Sequence, residues 1–256
     1  NEDEIEELVI MEADKYIPYP IDEINIDFNV LGPASKNAAM LDVLVVASRA
    51  ENVSSRVEAV NRAGLEAKIV DIESYAIERM SQLIISQLPK GGENQIIAII
   101  DFGYSYTIFY VLQGMKIIFS REEEFGGKQL VDTIMQVYGL KHDEAVTAIE
   151  AGQLPENYTD EVLYPLQELI ILLVKRGLQF FFSSSQYTDV DHIILAGELA
   201  KQIDIADVLN EHINIPTQIA NPFANMTTGE YVSRETLTDD APSLLVACGL
   251  ALRHSK

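Results

Sequence analysis

Apolar residues recur at helical spacing through Ile5, Leu8, Val9 and Ala13, and the pattern stops at Pro18 and Pro20, which predicts a first helix over residues 3–16. From Asn25 to Leu31 the spacing changes to alternation, with Ile26, Phe28 and Val30 on one side of a half-buried strand. Leu41 to Ala47 reads as a buried strand. A helix over Glu51–Ala63 closed by Gly64, a strand over Lys68–Ile72 and a long helix over Glu73–Leu88 follow. Pro89-Lys-Gly-Gly-Glu93 reads as a linker. This alternation of strands and helices predicts sheets layered with helices.

Beyond the linker, Ile96-Ile-Ala-Ile-Ile-Asp101-Phe-Gly103-Tyr-Ser-Tyr-Thr107 is a buried strand that runs into Asp-x-Gly-x-x-x-Thr. A Gly turn after a strand exposes backbone N–H groups that can cradle a phosphate, and the Asp carboxylate can hold a metal or water. Asp and Gly also end strands for ordinary turn reasons. A second strand (Lys116-Ile-Ile-Phe-Ser120) precedes Gly126-Gly127, which opens an amphipathic helix, and Asp143–Ala151 is a further helix. Pro165–Ser183 is a long core helix whose Phe180-Phe-Phe182 reads as packing. Asp191-His-Ile-Ile-Leu195-Ala196-Gly197 repeats the strand-then-Gly pattern. A helix near 204–211, a strand over 217–220, a polar loop over 225–240 and a closing helix over 242–253 complete the chain.

Charge narrows the partners. Forty acidic against eighteen basic residues give a net charge of −22 over 256 residues. Nucleic acid and anionic membrane surfaces would be repelled. The single cysteine, Cys248, excludes an intrachain disulfide and reads as a small core residue. His192 beside Asp189 and Asp191 reads as a polar turn before a strand rather than a metal site. The most apolar stretch, Leu166–Phe182, is interrupted by Glu168, Lys175 and Arg176 and is too short and too charged to span a bilayer. The chain opens on an acidic helix without a signal-peptide pattern, so a soluble cytoplasmic protein is expected.

The ordered series of Asp101-x-Gly103, Gly126-Gly127 and Ala196-Gly197 resembles the actin-like ATPases. Tyr16-Ile-Pro-Tyr-Pro20, Val70-Asp-Ile-Glu-Ser-Tyr-Ala76, Ala220-Asn-Pro-Phe223 and Asp240-Ala-Pro-Ser to Arg253 further resemble the PilM family of type IV pilus assembly proteins. The resemblance runs from the first residue to the last.

It implies an α/β, actin-like (ribonuclease H-like) bilobed fold with a PilM/FtsA-type extra subdomain. Residues 1–67 would be the PilM-specific subdomain and 68–90 the remnant of an incomplete first lobe. Residues 91–240 would form the second lobe, and 241–256 a helix returning to the first. The family normally opens with a strand and an Asp-x-Gly turn forming a first phosphate loop. Nothing similar precedes Glu4-Ile-Glu-Glu7, so an N-terminally truncated chain is expected.

The resemblance also assigns roles. Asp101, Gly103 and Thr107 match the second phosphate loop, with Asp101 reaching Mg through water. Gly126 and Gly127 start a connecting helix, and Ala196 and Gly197 form the adenosine loop. Glu73 matches the position of a water-orienting acid, although a carboxylate favoured by the helix dipole reads equally well. The adenosine side departs from the pattern, because Glu198-Leu199-Ala200 stands where relatives carry further glycines. Glu144-Ala145-Val146 to Ile149 lacks the polar residues that grip ribose and base.

ATP with Mg is therefore expected only of an intact protein, with little binding and less hydrolysis by this chain. The implied role is a cytoplasmic scaffold that binds the N-terminal tail of the membrane protein PilN and couples it to motor ATPases, alone or as a ring. The alternative is an actin-like ATPase whose turnover drives pilus assembly or twitching motility. Asn221-Pro222-Phe223 would lie near the nucleotide cleft or an intersubunit surface.

Overall fold

The computed structural model describes residues 2–34, 37–92 and 94–253. The chain divides into two compact units, residues 1–70 and 71–256.

The first unit contains α1 (Glu2–Ala13), β1 (Ile24–Ala34), β2 (Asn37–Arg49) and α2 (Ala50–Arg62). β1 and β2 form an antiparallel pair with Ile24 opposite Arg49 and Val30 opposite Val43, interrupted by a bulge between Val30 and Gly32. The alternation of β1 is real: Ile24, Ile26 and Phe28 are more covered than Asn25, Asp27 and Asn29. The core is thin. Among the described residues of this unit only Val9, Ala13 and Ile24 are buried apolar side chains.

The second unit is built on a five-stranded sheet. Its elements are α3 (Glu73–Ile85), β3 (Ile96–Phe102), β4 (Thr107–Gln113), β5 (Lys116–Glu123), α4 (Gly127–Tyr138) and α5 (His142–Glu150). A π-helical turn (Thr159–Leu163) leads into α6 (Tyr164–Ser184), β6 (His192–Ala196), α7 (Glu198–Gln202), α8 (Ile205–Ile213) and β7 (Thr217–Ile219). α9 (Arg234–Asp240), a 3-10 turn and α10 (Leu245–Ala251) close it.

The strand order is β5-β4-β3-β6-β7. β5, β4 and β3 pair antiparallel, whereas β3, β6 and β7 pair parallel. Both faces are covered, which explains the unbroken apolar run of β3. Ala98, Ile100 and Phe102 join the core containing α4, α6 and α8, while Ile97 and Ile99 join the core of α3 and α10. Ile99 and Ile100 are fully buried, each worth about 1.5–3 kcal/mol relative to exposure. Phe181 stacks on Tyr187 and tilts against Phe119 and Phe182, so Phe181 and Phe182 are packing, whereas Phe180 is exposed beneath the Arg121 guanidinium. Cys248 is a buried free thiol of the α3–α10 core, and burial pushes its pKa up.

Five expectations change. Leu41–Ala47 lies within β2 but is not buried, since the two-stranded pair is not packed over on this stretch and Leu41 and Val45 stay exposed. Residues 68–72 form no strand; a strand needs a ladder, and none of the described strands pairs with them. Thr107–Gln113, which follows the Gly turn directly, is a full central strand. Helix α3 ends at Ile85 rather than Leu88. Part of the polar loop over 225–240 is helical, because Ser233 accepts from the Thr236 N–H and caps α9.

Candidate functional site

β3 and β6 run parallel with Asp101 opposite Ala196, so both Gly turns emerge at the same end of the sheet. The first turn is tight: the Gly103 N–H donates to the Tyr106 carbonyl at 3.0 Å. Thr107 is fully buried, and its hydroxyl donates to the Phe125 carbonyl at 2.8 Å, tying the turn to the entry of α4. The Gly127 and Lys128 N–H groups donate to the Gly103 and Tyr104 carbonyls at 2.9 and 2.8 Å. Two of the N–H groups that a helix start ordinarily leaves open are thus already occupied. A Cβ on Gly126 would fall 2.3 Å from the Gly103 carbonyl oxygen, so only glycine permits this approach.

The second turn packs just as closely. Gly197 has φ +84°, and a Cβ there would lie 2.1 Å from the Phe102 carbonyl oxygen. Its N–H donates to the Pro242 carbonyl at 2.8 Å, joining β6 to the turn before α10.

Asp101, Gly103, Gly127, Gly197, Glu198 and Glu150 line one cleft of about 410 Å³. Its walls are apolar, from Leu130 and Val131 of α4, Val146 and Ile149 of α5, and Leu199 of α7. Burial, aided by the nearby charge of Glu73, pushes the Asp101 carboxyl up to about 6. Glu73 starts α3 and accepts a 3.1 Å hydrogen bond from the Tyr110 hydroxyl. Burial and that carboxylate raise the Tyr110 pKa. Glu73 and Asp101 are therefore close enough for their charges to repel. Among the described residues no group of three or more His, Cys, Asp or Glu side chains is placed to hold a metal ion.

The residues present do not by themselves fit a nucleoside triphosphate. Among the described residues the cleft lining brings Asp101, Glu150 and Glu198 to it and no lysine or arginine. Glu144 is turned to another task, accepting the Lys141 N–H at 2.8 Å at the start of α5.

Three other positions have structural explanations. Asp191 accepts the Ile96 N–H at 2.7 Å and fixes the strand entry. The Asn221 side chain accepts the Phe223 N–H, and Phe223 packs on the α3–α10 core, which makes a turn with a packed aromatic. Asp71, which the sequence reading passed over, is paired with both Arg79 and Arg253. Burial opposes its charge. Hydrogen bonds from Arg253 and the Ile72 N–H, with the charges of both arginines, nevertheless hold the carboxyl below its usual range.

The first unit carries a groove of about 880 Å³. Ile5 and Leu8 of α1, with Tyr16 beyond it, face Met40, Leu41 and Val45 of β2. Tyr16 is 82% exposed and Met40 61%, unusually high for a lining of large apolar side chains. Among the described residues β2 pairs only with β1, so its other edge is open.

The fold is the mixed α/β fold of the actin-like ATPases. Within that class, the profile of the type IV pilus assembly protein PilM matches residues 1–255, and the chain belongs to this family. The structure is similar to that of a PilM–PilN type IV pilus biogenesis complex, with TM-score 0.77 and 26% identity over 98% of this chain and 72% of that one. It is also similar to the ethanolamine utilization protein EutJ from Carboxydothermus hydrogenoformans, with TM-score 0.57 and 20% identity. That match covers 80% of this chain and 62% of EutJ, less than two thirds of its length. An archaeal actin homologue aligns with TM-score 0.47 and 14% identity over 82% of this chain and 59% of its own.

Proposed function

We propose that the protein is a scaffold of the type IV pilus assembly complex that takes the extended N-terminal tail of PilN into the groove between α1 and β2. The observation that carries this reading is the groove itself, apolar on both walls and bordered by an open strand edge. An extended segment can pair its backbone with such an edge while alternate side chains fill the apolar trough. The likeness to a structure of a PilM–PilN complex supports the choice of partner.

In this reading residues 1–67 act as the PilM-specific docking subdomain. The protein works at the cytoplasmic side of the inner membrane, held there through PilN and passing force or position between PilN and the motor ATPases. No helix among the described residues is long and apolar enough to cross a membrane itself. A second reading, nucleotide turnover at the cleft, would use Asp101 to hold Mg through water and Glu73 to orient the attacking water. The carboxylate-rich lining disfavours it.

Calorimetric titration of a synthetic PilN tail peptide tests the scaffold reading. Saturable binding that disappears in Leu41→Asp supports it. Binding unchanged in that variant, or absent from the wild type, removes the groove as the docking site.

A further inference from the structure

One face of α6 is left open to solvent. Leu169, Leu172, Arg176 and Phe180 follow one another at three- and four-residue spacing, so they fall in one stripe along the helix. The opposite face, with Ile170, Val174 and Phe181, is buried in the core. Leu172 is 64% exposed, and Leu169 and Phe180 are also exposed. β5, an edge strand of the sheet, adds Arg121, whose guanidinium carbon lies 3.7 Å from the centre of the Phe180 ring. Glu123 of β5 pairs with both Arg121 and Arg176, at 2.6 and 2.7 Å, and its side chain is only 12% exposed. Solvent therefore meets the two guanidinium groups more than the carboxylate between them. Lys175 flanks the stripe, and Glu168 stands on the same flank toward the start of the helix.

We infer that this face docks an acidic amphipathic helix of a protein partner. Apolar side chains at these spacings form the ridges that a second helix packs into. From Leu169 to Phe180 the stripe runs about 16 Å, the length of about three helical turns. The arginines select acidic chemistry. Each spends one N–H on Glu123 and keeps further donors for a second carboxylate. A chain of net charge −22 repels an acidic helix over most of its surface, so the guanidinium pair decides where that helix lands. An anionic membrane would meet the same repulsion across the whole approaching side, whereas one helix covers the stripe alone. The face belongs to the second unit, and its docking role does not rest on the groove between α1 and β2.

Fluorescence anisotropy tests it with a dye-labelled peptide of two Leu-Glu-Ala-Leu-Leu-Glu-Ala repeats, beside the same peptide with lysine for glutamate. The glutamate peptide should bind about tenfold more tightly than its lysine counterpart, a ratio that falls as salt is raised. Leu172→Asp should weaken the glutamate peptide about tenfold, and Arg176→Gln roughly threefold. Both side chains are exposed, so the melting temperature should stay close to that of the wild type. Leu41→Asp, in the other unit, should leave binding unchanged. Equal binding of the two peptides overturns the proposal, as does binding that survives Leu172→Asp. Self-association of the protein, or its flotation with phosphatidylserine vesicles, that Leu172→Asp abolishes would give the face to a second copy or to a membrane and overturn the acidic helix.

Discussion

Arg253 Nη1 lies 2.6 Å from Asp71 Oδ1, so the residue that opens the second unit is held by one just beyond its last helix. Arg79 of α3 takes the other carboxylate oxygen and also donates to the Gly249 carbonyl at 3.0 Å. One carboxylate thus clasps α3 to the C-terminal segment. The Asp71 side chain is only 3% exposed, whereas the arginines reach solvent.

Asp71→Asn should cost roughly 1–3 kcal/mol, below the usual loss for a fully buried pair because the arginines are partly solvated. The folded carboxyl lies below its ordinary 3.8, so its stabilisation is complete above that value and is lost as pH falls through the folded pKa. Urea melts of wild type and variant at pH 7 and pH 3 should differ at the first and converge toward the second.

Asp101 behaves in the opposite sense. Its folded pKa, about 6, exceeds 3.8, so the stability it allows is fully present below pH 3.8 and is lost as pH rises through 6. Asp101→Asn should therefore raise stability at pH 7.5 by about 1–3 kcal/mol and change little at pH 3.5. Thermal melts at the two pH values read this directly. Equal effects at both would show that Glu73 and burial do not act on this carboxyl.

Gly197→Ala should be among the most damaging single-atom additions in the chain. The new methyl would overlap the Phe102 carbonyl oxygen, and φ +84° is disfavoured for any residue with a side chain. A loss of at least about 2–3 kcal/mol is expected. Circular dichroism melts would check it, with Gly229→Ala, whose added methyl meets nothing within 4 Å, as the benign comparison.

Thr107→Val removes the hydroxyl that holds the Phe125 carbonyl while keeping the shape of the side chain. The site is fully buried, so roughly 1–3 kcal/mol should be lost. Hydrogen exchange should report faster opening at the Gly126–Lys128 amides before the strands open.

Much of the second unit was legible because its signals are local. β3 and β6 are apolar runs that stop just before Gly103 and Gly197, and the paired Gly126-Gly127 marks the start of α4. β4 was missed because Thr107–Gln113 begins directly at the turn and carries no breaker of its own. Ile69, Val70 and Ile72 gave residues 68–72 the composition of a strand, but composition supplies no hydrogen-bonding partner. The acidic face of the cleft was half legible: Glu198 stood out against the glycines of relatives, while Glu150 arrives only through the packing of α5. The groove of the first unit joins one face of α1 to alternate positions of β2. A chain read in order hides such a pairing, and the clasp of Asp71 by Arg253 still more.

The two amides that α4 spends on the turn between β3 and β4 have a mechanical side. A turn bonded to a helix through two successive N–H groups cannot shift without tilting that helix. Helix α4 runs twelve residues to Tyr138, whose hydroxyl donates to Asn157 at 3.3 Å, just ahead of the π-helical turn that feeds α6. Whatever presses on the Gly103–Tyr106 turn therefore has a lever. The far end of that lever rests beside the π-helical turn, so a push on the strand turn is delivered to the entry of α6.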